Sequence, residues 1–107
     1  MSGSMTDATS QAKFGAGGSS STAPNPFTGN IDECTVWSVG FVSSDVTALY
    51  NGGHPNNPTT HAQAASLTHW YRMGDGDTYP TITDQVGAIN GTCTNMASSA
   101  NIQASVP

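Results

Sequence analysis

The densest group of side chains able to do chemistry is acidic. Asp75-Gly76-Asp77 lies on a Gly-containing turn, and Asp84 follows seven residues later. Two carboxylates on such a turn, with Thr78 and backbone carbonyls nearby, are the oxygen donors that Ca²⁺ takes. An EF-hand would also need ligands at regular spacing and a late Glu, which are absent. The competing expectation for Asp75, Asp77 and Asp84 is an acidic turn in which each Asp accepts from a nearby backbone amide. Trp70, Tyr71 and Tyr79 form an aromatic group around the same region. They suit sugar stacking or an interface anchor, and interface is the stronger expectation. His54, His61 and His69 are scattered, and no nucleophile elbow, phosphate loop or Cys/His metal spacing accompanies them. An enzyme is therefore not expected.

Asp32 and Glu33 are adjacent, so an extended strand sends them to opposite faces, which does not make a glycosidase pair. Alternation puts Asp32 with Cys34 and Val36 on the inward face. Arg72, the only arginine, is then its expected partner, the alternative being a strand-end Asp32 bonded to backbone or water.

The elements that must hold these residues are short. Residues 31–41 (IDECTVWSVGF) are β-branched and aromatic, and predict a strand. Ser43-Ser44-Asp45 supplies helix N-cap chemistry, and Val46, Leu49 and Tyr50 follow at helical spacing. Asn51-Gly52-Gly53 supplies the stop, giving a helix of about two turns. Trp37 and Tyr50 are expected in the core. Residues 54–66 are a Pro/Asn-rich connection, and residues 67–73 a second strand. Residues 88–96 read as a strand or hairpin turning at Asn90-Gly91, and the tail from 97 as one more edge strand. Residues 1–30 contain GAGGSSST and APNPF, a composition with almost nothing to bury, and read as an extended arm preceding a β domain over 31–107.

Composition narrows the function classes. Of 107 residues only 8% are charged, with Lys+Arg 2 against Asp+Glu 7 and a net charge of -5. Lys13 and Arg72 alone cannot neutralise a phosphate backbone, so no nucleic-acid partner is expected. No apolar run reaches the ~18 residues of a membrane span, and no ordinary secretory signal is read at the start. A surface rich in Ser, Thr, Asn and Gly but poor in charge suits sheet proteins packed side by side, or else an extracellular β domain.

Two strings resemble a known family. GNIDECTVWSVGFVSSDVTALYNGG is similar to the closing segment of laminin-G-like, concanavalin A-like jelly-roll domains, at Gly29, Ile31, Asp32, Glu33, Val36, Trp37, Ser44, Leu49 and Tyr50. LTHWYRMGDGDTYPTITDQVGAINGTCTNM resembles the extension that follows such domains in phage and environmental viral structural proteins. It does so at Trp70, at residues 72–78, and at Pro80, Thr81 and Asp84. It does so again at residues 90–92 and 94–96. Together they cover residues 29–96. The earlier strands of a full sandwich should precede Gly29, and a Gly/Ser-rich arm stands there instead.

The resemblance implies an all-β fold, a partial concanavalin A-like jelly-roll sandwich with one short helix and an extended N-terminal arm. It also puts Cys34 and Cys93 at inward core positions, where a disulfide would close a long loop if their strands adjoin, and two buried thiols would remain if they do not. A partial sandwich exposes strand edges, which invite pairing with another chain. The implied function is a non-enzymatic, virion-associated structural protein, a capsid decoration or tail-fibre component. Its partners would be other subunits, either copies of itself or capsid and tail proteins. It would be located in the phage particle or otherwise outside cells. The alternative is a calcium-assisted carbohydrate-binding module that meets surface glycans at Asp75 and Asp77, with no other cofactor.

Overall fold

The β-branched stretch after Asn30 forms a strand only where its backbone stays extended. In the computed structural model, which describes residues 12–16, 26–94, 96, 99 and 102, that strand is β1, Cys34–Trp37. It starts late because Glu33 adopts a left-handed φ of 50°. This conformation costs a non-glycine residue of order 1 kcal/mol and breaks the alternation read from the sequence. β2, Leu67–Tyr71, pairs antiparallel with β1, matching Cys34 with Tyr71, Thr35 with Trp70 and Val36 with His69, before an irregularity at Trp37. The other edge of β2 is also occupied: Tyr71 bridges Asp84, and the Gln85 amide donates to the Trp70 carbonyl at 2.8 Å. β3, Thr81–Ile82, pairs with β4, Gly91–Thr92, in a second two-stranded sheet.

Helix α1, Ser43–Tyr50, is capped differently from the sequence expectation. Val42 is the N-cap, and Asp45 sits in the first turn, where its Oδ2 accepts the Val42 N–H at 3.1 Å. Asn51 ends the helix in the left-handed conformation. Three 3₁₀ turns, Asn51–Gly53, Pro58–Thr60 and Ala64–Ser66, carry the connection to β2. Asn90-Gly91 is not a two-residue hairpin turn. Gly91 already belongs to β4, and the Asn90 side chain is drawn to the Asp84 amide. Among the described residues the fold is thus mostly β, with two small antiparallel sheets and a single short α-helix.

The chain divides into two compact units, Met1–Asn30 and Ile31–Pro107. Within the first, Ala16 bridges Pro26, and the Phe27 amide donates to the Gly15 carbonyl at 2.8 Å. Most of the expected arm, and the edge strand expected from residue 97, lie outside the described residues. In the second unit the interior is thin. Among its described residues, Leu67 and Tyr71 are the buried large apolar side chains, and Trp37, Phe41 and His61 form a half-buried ring cluster with centroids 4.8–5.4 Å apart. Tyr50, expected in the core, is exposed, because α1 buries none of its residues. Among the described residues no helix is long and apolar enough to cross a membrane.

Candidate functional site

The most heavily hydrogen-bonded polar site among the described residues is centred on Asp84, whose side chain is fully buried. The sequence Asp84-Gln85-Val86-Gly87 lets an aspartate accept from amides two and three residues ahead. Oδ1 takes the Val86 amide at 3.1 Å and the Gly87 amide at 3.0 Å, and reaches across to the Trp70 amide on β2 at 3.1 Å. Oδ2 takes the Ile89 amide at 3.2 Å and His69 Nδ1 at 2.6 Å. The Asp84 amide itself donates to Asn90 Oδ1 at 3.1 Å. One carboxylate thereby ties the loop 84–90 to β2. Burial alone pushes its pKa up. The Gly87 amide, the His69 ring and the Trp70 and Val86 amides outweigh burial and hold the carboxyl below its ordinary value.

The wrap requires two unusual backbone features. Ala88 takes a left-handed φ of 57°. Gly87 admits no side chain, since a Cβ there would lie 2.5 Å from the Thr68 carbonyl oxygen and 2.7 Å from Asp84 Oδ2. Tyr71 closes the site by donating its hydroxyl to the Ile89 carbonyl at 2.9 Å. Burial, then the Asp84 charge, raises its pKa. His69 stacks on Tyr71 with ring centroids 6.3 Å apart.

A second cluster lies where Thr35 faces Trp70. Glu33 Oε2 accepts the Trp70 indole N–H at 2.6 Å, and its Oε1 lies 3.5 Å from Arg72 Nε. Arg72 also pairs with Asp75 and stands 5.8 Å over the Trp70 ring. The expected Asp32–Arg72 pair is therefore replaced by Glu33 and Asp75. The left-handed turn at Glu33 delivers that residue to the indole and the guanidinium. Asp32 is exposed, accepting the Glu33 amide at 3.0 Å.

The three carboxylates considered as calcium ligands face different donors. Asp75 holds Arg72. Asp77 accepts the Gly74 amide at 3.0 Å and the Thr83 amide at 2.8 Å. Asp84 is engaged as above. Among the described residues no group of three or more His, Cys, Asp or Glu is arranged to hold a metal ion. Of the aromatic candidates, Tyr71 is buried and Trp70 half-buried. Tyr79 is exposed and donates to the Met96 carbonyl at 2.9 Å. Cys34, on β1, and Cys93, just past β4 in the other sheet, are free thiols. Burial raises both pKa values, helped by Asp32 and Glu33 for Cys34 and by Asp77 for Cys93.

Chemically, an ionised Asp84 can only accept, so Nδ1 of His69 carries the proton of that bond. A hydrolase would add a nucleophile. Among the described residues no Ser, Thr or Cys side chain is hydrogen-bonded to His69. The Asp84–His69 pair and the role of Glu33 were missed in the sequence. The Asp-x-x-Gly spacing at 84–87 was the one available signal, and it marks an aspartate that accepts from its own loop. No protein-family model, curated protein or solved structure matches the chain.

Proposed function

We propose that the chain is a non-enzymatic structural subunit, completed by neighbouring chains that it meets through strand edges and its N-terminal segment. The observation that carries this reading is the poverty of the interior. Among the described residues, Leu67 and Tyr71 are the buried large apolar side chains, while ten large apolar side chains stand exposed. Isolated exposed apolar residues are ordinary, but a domain of this size needs most of its apolar surface buried to offset chain entropy. The polar sites favour the same reading. Asp77 and Asp84 are spent on backbone amides, and Asp75 on Arg72, so these carboxylates organise loops. The same engagement makes calcium-assisted glycan binding the weaker reading.

The finer assignment rests on the motif resemblance. It is a partial jelly-roll sandwich in a phage particle, serving as capsid decoration or tail-fibre component. The test is limited proteolysis of the purified full chain against its assembled form. Residues 1–30 should be cut in the dispersed chain and protected after assembly. A monomer whose arm is digested under every condition overturns the reading. Glycan binding that EDTA abolishes would support the alternative instead.

A further inference from the structure

Two asparagines of the chain precede a glycine, Asn51-Gly52 and Asn90-Gly91. The side-chain carbonyl carbon of an asparagine lies within reach of the next residue's backbone nitrogen. Closing that five-membered ring is easiest before glycine, which has no side chain in the way. At Asn25-Pro26 and Asn57-Pro58 the next nitrogen carries no proton to give up. The structure treats the two Asn-Gly pairs oppositely. Asn90 Oδ1 accepts the Asp84 amide at 3.1 Å in a part-buried bond, and Gly91 stands opposite Ile82 in the β3–β4 ladder. The Cys93 amide donates to the Pro80 carbonyl at 2.7 Å, and bonded pairs alternate along an antiparallel ladder, so the Gly91 amide is itself bonded to Ile82. Asn51 and Gly52 are both exposed, and a Cβ at Gly52 would meet nothing within 4 Å. Asn51 Nδ2 donates to the His54 carbonyl at 3.0 Å, but that bond is open to water, which replaces it at little cost. Ring closure also needs Asn51 to leave its left-handed ψ of 44°, a move made where α1 ends and frays.

We propose that Asn51 is a site of spontaneous covalent modification, converted to aspartate or isoaspartate by the chain's own backbone, while Asn90 is spared. The Gly52 backbone nitrogen gives up its proton and bonds to Asn51 Cγ. The bond from Cγ to the side-chain nitrogen breaks, and ammonia leaves with the proton. Water then adds to either carbonyl of the cyclic imide. One opening gives aspartate, and the other gives isoaspartate, with one more carbon in the backbone. Water is the only co-reactant. The product changes the end of α1 in two ways. It removes the donor that Asn51 offers the His54 carbonyl. It also places a negative charge at the C-terminus of α1, where the unpaired carbonyls are already negative and the last turn has no basic residue to offset them. The protected asparagine is the one that braces the Asp84 amide, so the loop over β2 keeps its support as the helix end changes.

The test ages the full chain at body temperature in mildly alkaline buffer and follows each Asn-Gly pair by peptide mass, with the aspartate and isoaspartate products separated by chromatography. Asn51 should convert about tenfold faster than Asn90, because Asn90 reacts only after its bond from Asp84 and the Gly91 ladder bond have opened. In urea the two rates should converge, since local sequence alone then acts. Asn51→Asp carries the new charge without waiting for the reaction. It should exchange amide hydrogens faster over the last turn of α1, with exchange over residues 84–90 unchanged. If the folded chain converts Asn90 as fast as Asn51, or holds both far below their rates in urea, the assignment of Asn51 is overturned. If Asn51→Asp leaves exchange in α1 as it was, the effect on the helix end is overturned.

Discussion

Replacing Asp84 by Asn keeps the volume and one acceptor but removes the charge. If the remaining oxygen keeps the Trp70, Val86 and Gly87 amides, the new NH₂ group faces the Ile89 amide and His69 Nδ1. His69 can change tautomer and accept. The Ile89 N–H cannot, so a part-buried donor loses its partner at a cost of up to about 1–3 kcal/mol. Loss of charge from the other bonds adds about 1–2 kcal/mol. The expected total is about 2–5 kcal/mol, a large share of the ~5–15 kcal/mol that stabilises a whole domain. Urea unfolding followed by Trp fluorescence at pH 7 measures it. The pH dependence gives a second, signed check. The Asp84 pKa is depressed in the folded state, so its stabilisation is fully present above the ordinary carboxylate value of about 3.9. It is lost as pH falls through the lower, folded value. The unaltered chain should therefore lose stability below about pH 4, and Asp84→Asn should lack this component. Equal stability of the two at pH 7, or identical acid profiles, would refute the reasoning.

Gly87→Ala forces a methyl group onto the Thr68 carbonyl, His69 and Asp84, and should cost at least about 2–3 kcal/mol or prevent folding, measured by thermal unfolding. Glu33→Gln should destabilise by about 1–2 kcal/mol and alter Trp70 fluorescence, whereas Asp32→Asn at the exposed neighbour should stay within about 0.5 kcal/mol. Cys34 and Cys93, with thiol pKa values pushed up by burial, should react with iodoacetamide more slowly at pH 7 than free cysteine does. Their rates should climb as pH rises and when urea is added. Fast labelling of the folded chain at neutral pH contradicts the burial.

The local elements were legible where short-range chemistry decides them. The strands read over 31–41 and 67–73 form over the shorter 34–37 and 67–71, and Asn51 ends α1 as its turn residues suggest. The partner of Arg72 was not, because alternation assumes an extended backbone and Glu33 leaves it. No pattern of side-chain types announces a left-handed φ at a glutamate. Asn90-Gly91 misled for a related reason: its usual turn preference gives way to a bond from the Asp84 amide across the loop. The outward face of Tyr50 could not be read either. Helical spacing marks an apolar row but not which body covers it. The acidic residues were found as a cluster, but which donors each one holds is settled by tertiary packing.

The central claim is that the described part of residues 31–107 buries too little apolar surface to persist alone. Sedimentation velocity of the full chain, run from high to low micromolar concentration with circular dichroism on the same samples, tests it most directly. The account predicts large species that lose ordered structure as dilution separates them. A sharp monomer boundary with an undiminished, cooperatively melting fold at the lowest concentration would contradict it.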